Sequence, residues 1–321
     1  MAFPGFFRPG GSNIGAKIYI WAQKAALRGD PFPSMRPISP SANAPDSQAW
    51  FRLLGITLLC TLVAMGVQAV IGRVFPAWAD TAAMARFTAG WFTVLLFGAP
   101  GVLCGLLSKE TAAEVGFRRP PGKALGGIVV AALALQPALQ GLSRLWGGLL
   151  SAVLSEEAFA RLLEVQSARE ASIARIVGEG GWGGLPAVVL VLAVLPALCE
   201  ELFFRGTIQR MACRGRRRAA GAILGVSLLF AAVHPDAMNI PGIFLCSVLL
   251  GYSYLWSGIL WIPAGFHLTS NLANLLPVYL PGIVPAVFPG WSIAASLVLT
   301  AVALRVVAKS CRPGEKRHPA Q

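Results

Sequence analysis

Glu200 and Glu201 end a long apolar run, and Arg205 follows four residues after the second: the stretch reads CEELFFRG. Upstream, from Gly183 to Cys199, there is no charge. Such a run belongs in a lipid bilayer, where an ionised carboxylate is costly unless it is paired or hydrated. The chain has only three histidines, and two of them, His234 and His267, also sit in apolar segments. Acid and imidazole side chains inside a membrane are the materials of a buried catalytic or proton-handling site.

The elements that must position them are membrane helices. Charged residues make up 13% of the chain, against about 25% in soluble domains. Eight apolar runs are long enough to be read as spans, at about 51–73, 87–107, 124–148, 184–211, 219–235, 239–257, 259–279 and 287–308. The expected fold class is all-α, a polytopic bundle of about eight transmembrane helices. The net charge of +13 sits at the flanks of these runs, in the N-terminal tail, Lys109–Lys123, Arg205–Arg218 and after Arg305. That distribution follows the positive-inside rule and points to membrane lipids, not nucleic acid, as the partner. Residues 155–180 mix Glu156, Glu157, Arg161, Glu164, Arg169, Glu170, Arg175 and Glu179 with Phe159, Leu162, Leu163, Ile173, Ile176 and Val177, as an amphipathic helix outside the hydrocarbon would.

The chain divides into a basic Pro-, Gly- and Ser-rich tail (1–48), N-terminal spans with the amphipathic segment (49–181), a second group of spans holding the polar motifs (182–310) and a basic C-terminal tail (311–321). An even number of spans places both termini in the cytoplasm and the amphipathic segment on the other side. The reading is an integral membrane protein of a bacterial inner or cell membrane. The six cysteines form no CxxC pair and read as small core residues, without disulfides or metal.

Depth brings the polar groups together. About 16 residues separate Glu200 from Arg216 in the basic turn, and about 18 separate Arg216 from His234, so both lie about 24–27 Å along antiparallel neighbours. His267, Asn271 and Asn274 fall at i, i+4 and i+7 on one face of a third helix, flanked by Ser270. Glu201 and Arg205, four apart, can pair along their helix and leave Glu200 free, roughly 100° around it.

A carboxylate with an imidazole can activate water. A His and an Asn four apart can donate to a developing oxyanion. The outline is amide hydrolysis without a covalent intermediate. The same Glu200, His234 and His267 could instead hold zinc. Two further readings are a proton-coupled transporter with these groups as its relay, and a catalytically silent membrane scaffold or bacteriocin-immunity protein. The HExxH zinc helix is absent, as are the GxSG and GxGD motifs of other membrane proteases.

Three motifs carry a resemblance. EELFFRG has paired glutamates with an arginine four residues after the second; FAAVH, Phe230–His234, fits Phe-x-x-x-His; HLTSN, His267–Asn271, fits His-x-x-x-Asn. Together they resemble the CPBP family of intramembrane proteases, the type II CAAX prenyl endopeptidases and bacteriocin-processing (Abi) proteins. The resemblance covers about 185–280 and implies an intramembrane endopeptidase acting on a peptide or prenylated protein. It implies Glu200 as the activator of water with His234, His267 and Asn271 as the oxyanion hole, and Glu201 and Arg205 as supports. The family is commonly classed as metalloendopeptidase. The favoured scheme uses no cofactor, because Asn271 is a poor zinc ligand and a good oxyanion donor.

Overall fold

The computed structural model describes residues 47–78, 80–108, 111–178, 182–213, 219–280, 282 and 288–311. The N-terminal tail, the basic run Arg214–Arg218, Glu179 and the C-terminal residues beyond Cys311 lie outside the described residues. Ten helices succeed one another, and no strand occurs among the described residues. They are α1 (Ser47–Val74), α2 (Ala82–Leu107), a single turn α3 (Ala112–Val115), α4 (Gly122–Val153), α5 (Glu156–Val177), α6 (Trp182–Cys213), α7 (Ala219–Ala232), α8 (Ile240–Ser257), α9 (Trp261–Tyr279) and α10 (Gly290–Ser310).

All eight apolar runs are helical, but they are not equal spans. Six helices, α1, α2, α4, α6, α8 and α10, are long and apolar enough to cross a membrane. Helix α9 has 19 residues and carries the His267–Asn271 polar face. Helix α7 has 14 residues. At a rise of about 1.5 Å it reaches about 21 Å, short of a hydrocarbon core of about 30 Å. Outward-facing residues of α1, among them Leu54, Leu58, Leu62 and Met65, are exposed, as lipid-facing positions require.

Small residues let the helices close on one another. Helix α10 lies along α4. A Cβ at Gly127 would meet Val307 Cγ2 at 2.9 Å, and Ser296 Oγ donates to Ala134 O at 2.6 Å. The main core joins Ala124, Ile128, Ala131 and Leu135 of α4 to Leu250, Ile262, Phe266 and Val307.

The loop after α2 is pinned to the α8–α9 junction. Thr111 and Glu114 form a capping box over α3. Gly116 comes next at φ +97°, where its carbonyl accepts from Leu260 N at 2.9 Å. A Cβ there would meet Gly258 O at 2.8 Å, so only glycine fits. Tyr254 Oη donates to Val115 O, and Arg118 Nη2 to Gly258 O. These bonds fix where α9 begins, and hence the height of His267 seven residues into it.

Helix α6 is not regular. It contains π-type turns at Leu190–Val194 and Leu202–Gln209. The second begins immediately after Glu201, and Thr207 Oγ1 donates to Leu202 O, five residues back. An extra residue in a turn rotates the helix beyond it, and such bulges concentrate at functional sites.

The amphipathic segment is helical as expected. Ser155 caps α5 by accepting from Ala158 N, and Glu156 and Glu157 stand in its positive first turn.

Candidate functional site

The site forms where α6, α7, α8 and α9 meet. Glu201 and Arg205 are both fully buried, and Arg205 Nη1 donates to Glu201 Oε1 at 2.9 Å. Two charges without water need further partners. Arg205 finds them on α8, where Nη2 donates to the Ser247 carbonyl at 3.0 Å and to its Oγ at 2.8 Å. The Phe230 ring from α7 covers the guanidinium, 4.8 Å from ring centroid to Cζ. One turn further along α6, Gln209 Nε2 donates to Gly251 O at 2.9 Å. A Cβ at Gly251 would meet Ile223 Cγ2 at 2.8 Å. Ser247 and Gly251, four apart, are the small residues that let α8 receive both polar side chains.

His267 Nδ1 lies 2.9 Å from Glu201 Oε1. A carboxylate held by arginine is an acceptor, so Nδ1 carries the hydrogen. His234 Nδ1 lies 2.6 Å from the carbonyl of Phe230, four residues back in the last turn of α7. That oxygen also only accepts, so Nδ1 again carries the hydrogen. In the neutral tautomers both histidines therefore present a bare Nε2. Both face the same oxygen: Glu200 Oε2 is 3.7 Å from His234 Nε2 and 4.0 Å from His267 Nε2. The two distances exceed a direct hydrogen bond and match a gap bridged by a small polar molecule.

Glu200 Oε2 is buried and makes no hydrogen bond among the described residues. The side chains of Glu200 and His267 are 10% and 9% exposed and that of His234 27%, so the His234 edge is the most open. Phe230 forms the wall between them, its ring 4.5 Å from that of His234 and 5.9 Å from that of His267.

The residues singled out by the sequence fall into two groups. Glu200, His234 and His267 converge on one point, and Glu201 pairs with Arg205. His267 also does something the sequence does not suggest. Spacing alone sets it opposite Glu200, apart from the Glu201–Arg205 pair, yet it bonds Glu201 and so joins the two carboxylates. Asn271, one turn beyond His267, is half-buried, and its amide makes no hydrogen bond among the described residues. Sequence reasoning missed Ser247 and Gln209, and it held Phe230 only as a motif position, without its place over Arg205. A serine and glycine at i, i+4 in an otherwise apolar span were the available signal for the first.

Two imidazole nitrogens and a carboxylate are suitable zinc donors by type. Among the described residues, however, no group of three His, Cys, Asp or Glu side chains is arranged to hold a metal ion. All six cysteines are free; Cys199, next to Glu200, points instead toward Gly98 of α2, whose added Cβ would meet its Sγ at 2.9 Å.

Fold and site thus define an all-α polytopic membrane protein with a buried Glu–His cluster. Residues 182–273 match the family model described as type II CAAX prenyl endopeptidase Rce1-like. The matched segment runs from the start of α6 into α9 and contains all three motifs, in agreement with the resemblance they carry. At the family level the match supports a membrane protease. Neither the search of curated proteins nor that of solved structures finds a match.

Proposed function

We propose that the protein is an intramembrane endopeptidase that hydrolyses a peptide bond near the membrane by water activated at Glu200 and His234. The observation that carries this reading is the approach of two histidine Nε2 atoms, at 3.7 and 4.0 Å, to one oxygen of Glu200. A water between them can donate one hydrogen to Glu200 Oε2 and the other to His234 Nε2. It is then held with a lone pair free to attack.

Each step balances on the protein's own groups. Glu200 removes a proton as the water oxygen bonds to the carbonyl carbon. The carbonyl oxygen becomes an oxyanion. For this step His267 enters as the imidazolium, not the neutral tautomer, and so donates Nδ1–H to Glu201 and Nε2–H to the oxyanion. Two cations, Arg205 and His267, then face two anions, Glu201 and the oxyanion, while Glu200 holds the proton. Asn271, with an uncommitted amide one turn away, is the second oxyanion donor. The C–N bond breaks as Glu200 returns the proton to the departing nitrogen. No step requires a metal.

A second feature supports a lipid-modified, CAAX-like substrate. A cavity of about 540 Å³ is lined by Val194, Ala197 and Leu198 of α6 and Ala264 and Leu268 of α9. These are the helices that carry Glu200 and His267. The lining is almost wholly apolar, with Arg119 beside it. An isoprenoid chain would find apolar contact there, within a turn or two of the reacting groups.

The test compares membranes bearing wild type, E200Q, H234A, H267A and N271A. Cleavage of a farnesylated CAAX peptide is monitored together with a survey of new protein termini. Wild type should release products that E200Q and H234A do not. Identical product sets from wild type and E200Q would sink the proposal.

A further inference from the structure

Helix α5 is held at its ends and bridges the space between them. At its C-terminus Val177 is buried with Val188, Ala193 and Leu275, and Ile173 packs against that cluster. Arg86 of α2 reinforces this end, donating Nε–H to Ile176 O at 2.8 Å and Nη2–H to Val177 O at 3.0 Å. At its N-terminus the chain arrives directly from α4. The half-buried side chains recur every three or four positions, at Phe159, Leu162, Gln166, Arg169, Ile173 and Ile176, with Ser172 beside Ile173. This stripe is apolar at both ends and polar in the middle.

The polar middle meets the turn between α7 and α8. Arg169 Nη2 is 2.9 Å from Asp236 Oδ2, with the Asp236 side chain only 6% exposed. Among the described residues this is the one ion pair or hydrogen bond from the middle of α5 to another part of the chain. Asp236 is in turn wired to the site. Its backbone N–H donates to the carbonyl of His234 at 2.8 Å. Its Oδ1 accepts from Asn239 Nδ2 at 2.9 Å, and Asn239 Oδ1 accepts from Ser143 Oγ on α4. Trp146 Nε1 donates to Ala237 O at 3.0 Å in the same turn. Helices α4 and α5 thus grip the turn from two sides, and His234 is at its leading edge.

His234 needs that grip. Its ring is fixed at Nδ1 only by the Phe230 carbonyl in the last turn of α7, and His234 itself lies just past the end of that helix. If the turn shifts, Phe230 O and the imidazole move with it, and the Nε2 of His234 leaves Glu200. A nearly buried carboxylate whose cation comes from a separate helix is a lock with two parts.

We propose that Arg169 is a positioning residue, whose ion pair with Asp236 latches α5 across the open edge of the site and holds the His234 turn in register with Glu200. This rests on the reading of His234 as the group that orients water.

The experiment uses the full chain in membranes and in detergent, as wild type, R169Q, D236N and R169K. Acylation of His234 by diethyl pyrocarbonate is timed by peptide mass spectrometry, beside thermal unfolding and cleavage kinetics. In R169Q and D236N, His234 should react about tenfold faster as the turn opens locally. The kcat should fall about ten- to a hundredfold, as for a displaced catalytic group, with KM within about twofold. R169K, which keeps the charge, should restore the slow acylation and most of the kcat. His234 acylation at the wild-type rate in folded R169Q and D236N would overturn the latch. So would failure of R169K to restore it. Should wild type cleave nothing, the hydrolytic reading fails, and the acylation rates still decide whether the latch exists.

Discussion

Glu201 Oε1 accepts from Arg205 Nη1 and from His267 Nδ1, each at 2.9 Å, so one oxygen joins a structural ion pair to a candidate catalytic imidazole. The second glutamate of the pair is thus an anchor with a reach into the chemistry. The first, Glu200, has no hydrogen bond at Oε2 among the described residues and faces the two Nε2 atoms.

The two adjacent glutamates should fail in different ways. E200Q should unfold like wild type, while its turnover drops by about a hundredfold or more, the loss expected of a general base. E201Q should lose stability as well. It strands the fully buried Arg205, a change that typically costs about 3–5 kcal/mol. Denaturant unfolding in detergent measured beside cleavage separates the two. Equal stability losses in both variants would contradict the division of roles.

Arg205 should not be replaceable by lysine. Its Nη1 serves Glu201 while Nη2 serves both oxygens of Ser247, a forked geometry that one ammonium cannot reproduce. S247A removes only the hydroxyl partner and leaves the carbonyl, so it should cost about 1 kcal/mol. The thermal midpoints of the two variants should therefore rank R205K well below S247A.

Filling the apolar cavity should discriminate between substrates. Leu198 lines it from α6 and is 41% exposed, so L198W can occupy the space without overpacking the core. KM for a farnesylated peptide should rise about tenfold, while an unprenylated peptide of the same sequence should be unaffected. Equal effects on both peptides would detach the cavity from the lipid group.

The proposed hydrolysis runs on protein groups alone. Prolonged dialysis against a chelator should leave kcat within about twofold of the untreated protein. Stoichiometric zinc lost together with activity, and restored with it, would require Glu200, His234 and His267 to be redrawn as ligands.

Much of the fold and half of the site are legible in the sequence, and the reasons are local. Apolar runs give helices, and all eight are helical. The Glu201–Arg205 pair comes from i, i+4 spacing, which depends on one helix only. The shared depth of Glu200 and His234 comes from counting residues on either side of the basic run Arg214–Arg218. Contacts between helices are not legible, because they depend on rotation. The π-type turns of α6 set which way Arg205 and Gln209 point, and no residue pattern announces them. His267 on Glu201 and Arg205 on Ser247 lie across helix pairs, and Arg169 on Asp236 joins a helix to a distant turn. The 219–235 run reads as a full span, yet its helix stops at Ala232, where His234, Pro235 and Asp236 turn the chain.

The shortness of α7 has a consequence for the surrounding bilayer. A helix of about 21 Å beside neighbours able to cross about 30 Å leaves a notch about 9 Å deep, floored by His234. Lipid tails cannot solvate that imidazole, so the leaflet must thin there or the notch must fill from the aqueous phase. A scissile bond would then need to descend only as far as the floor of the notch. The bilayer's own deformation, as much as any side chain, would set which segments of a membrane-tethered peptide come within reach.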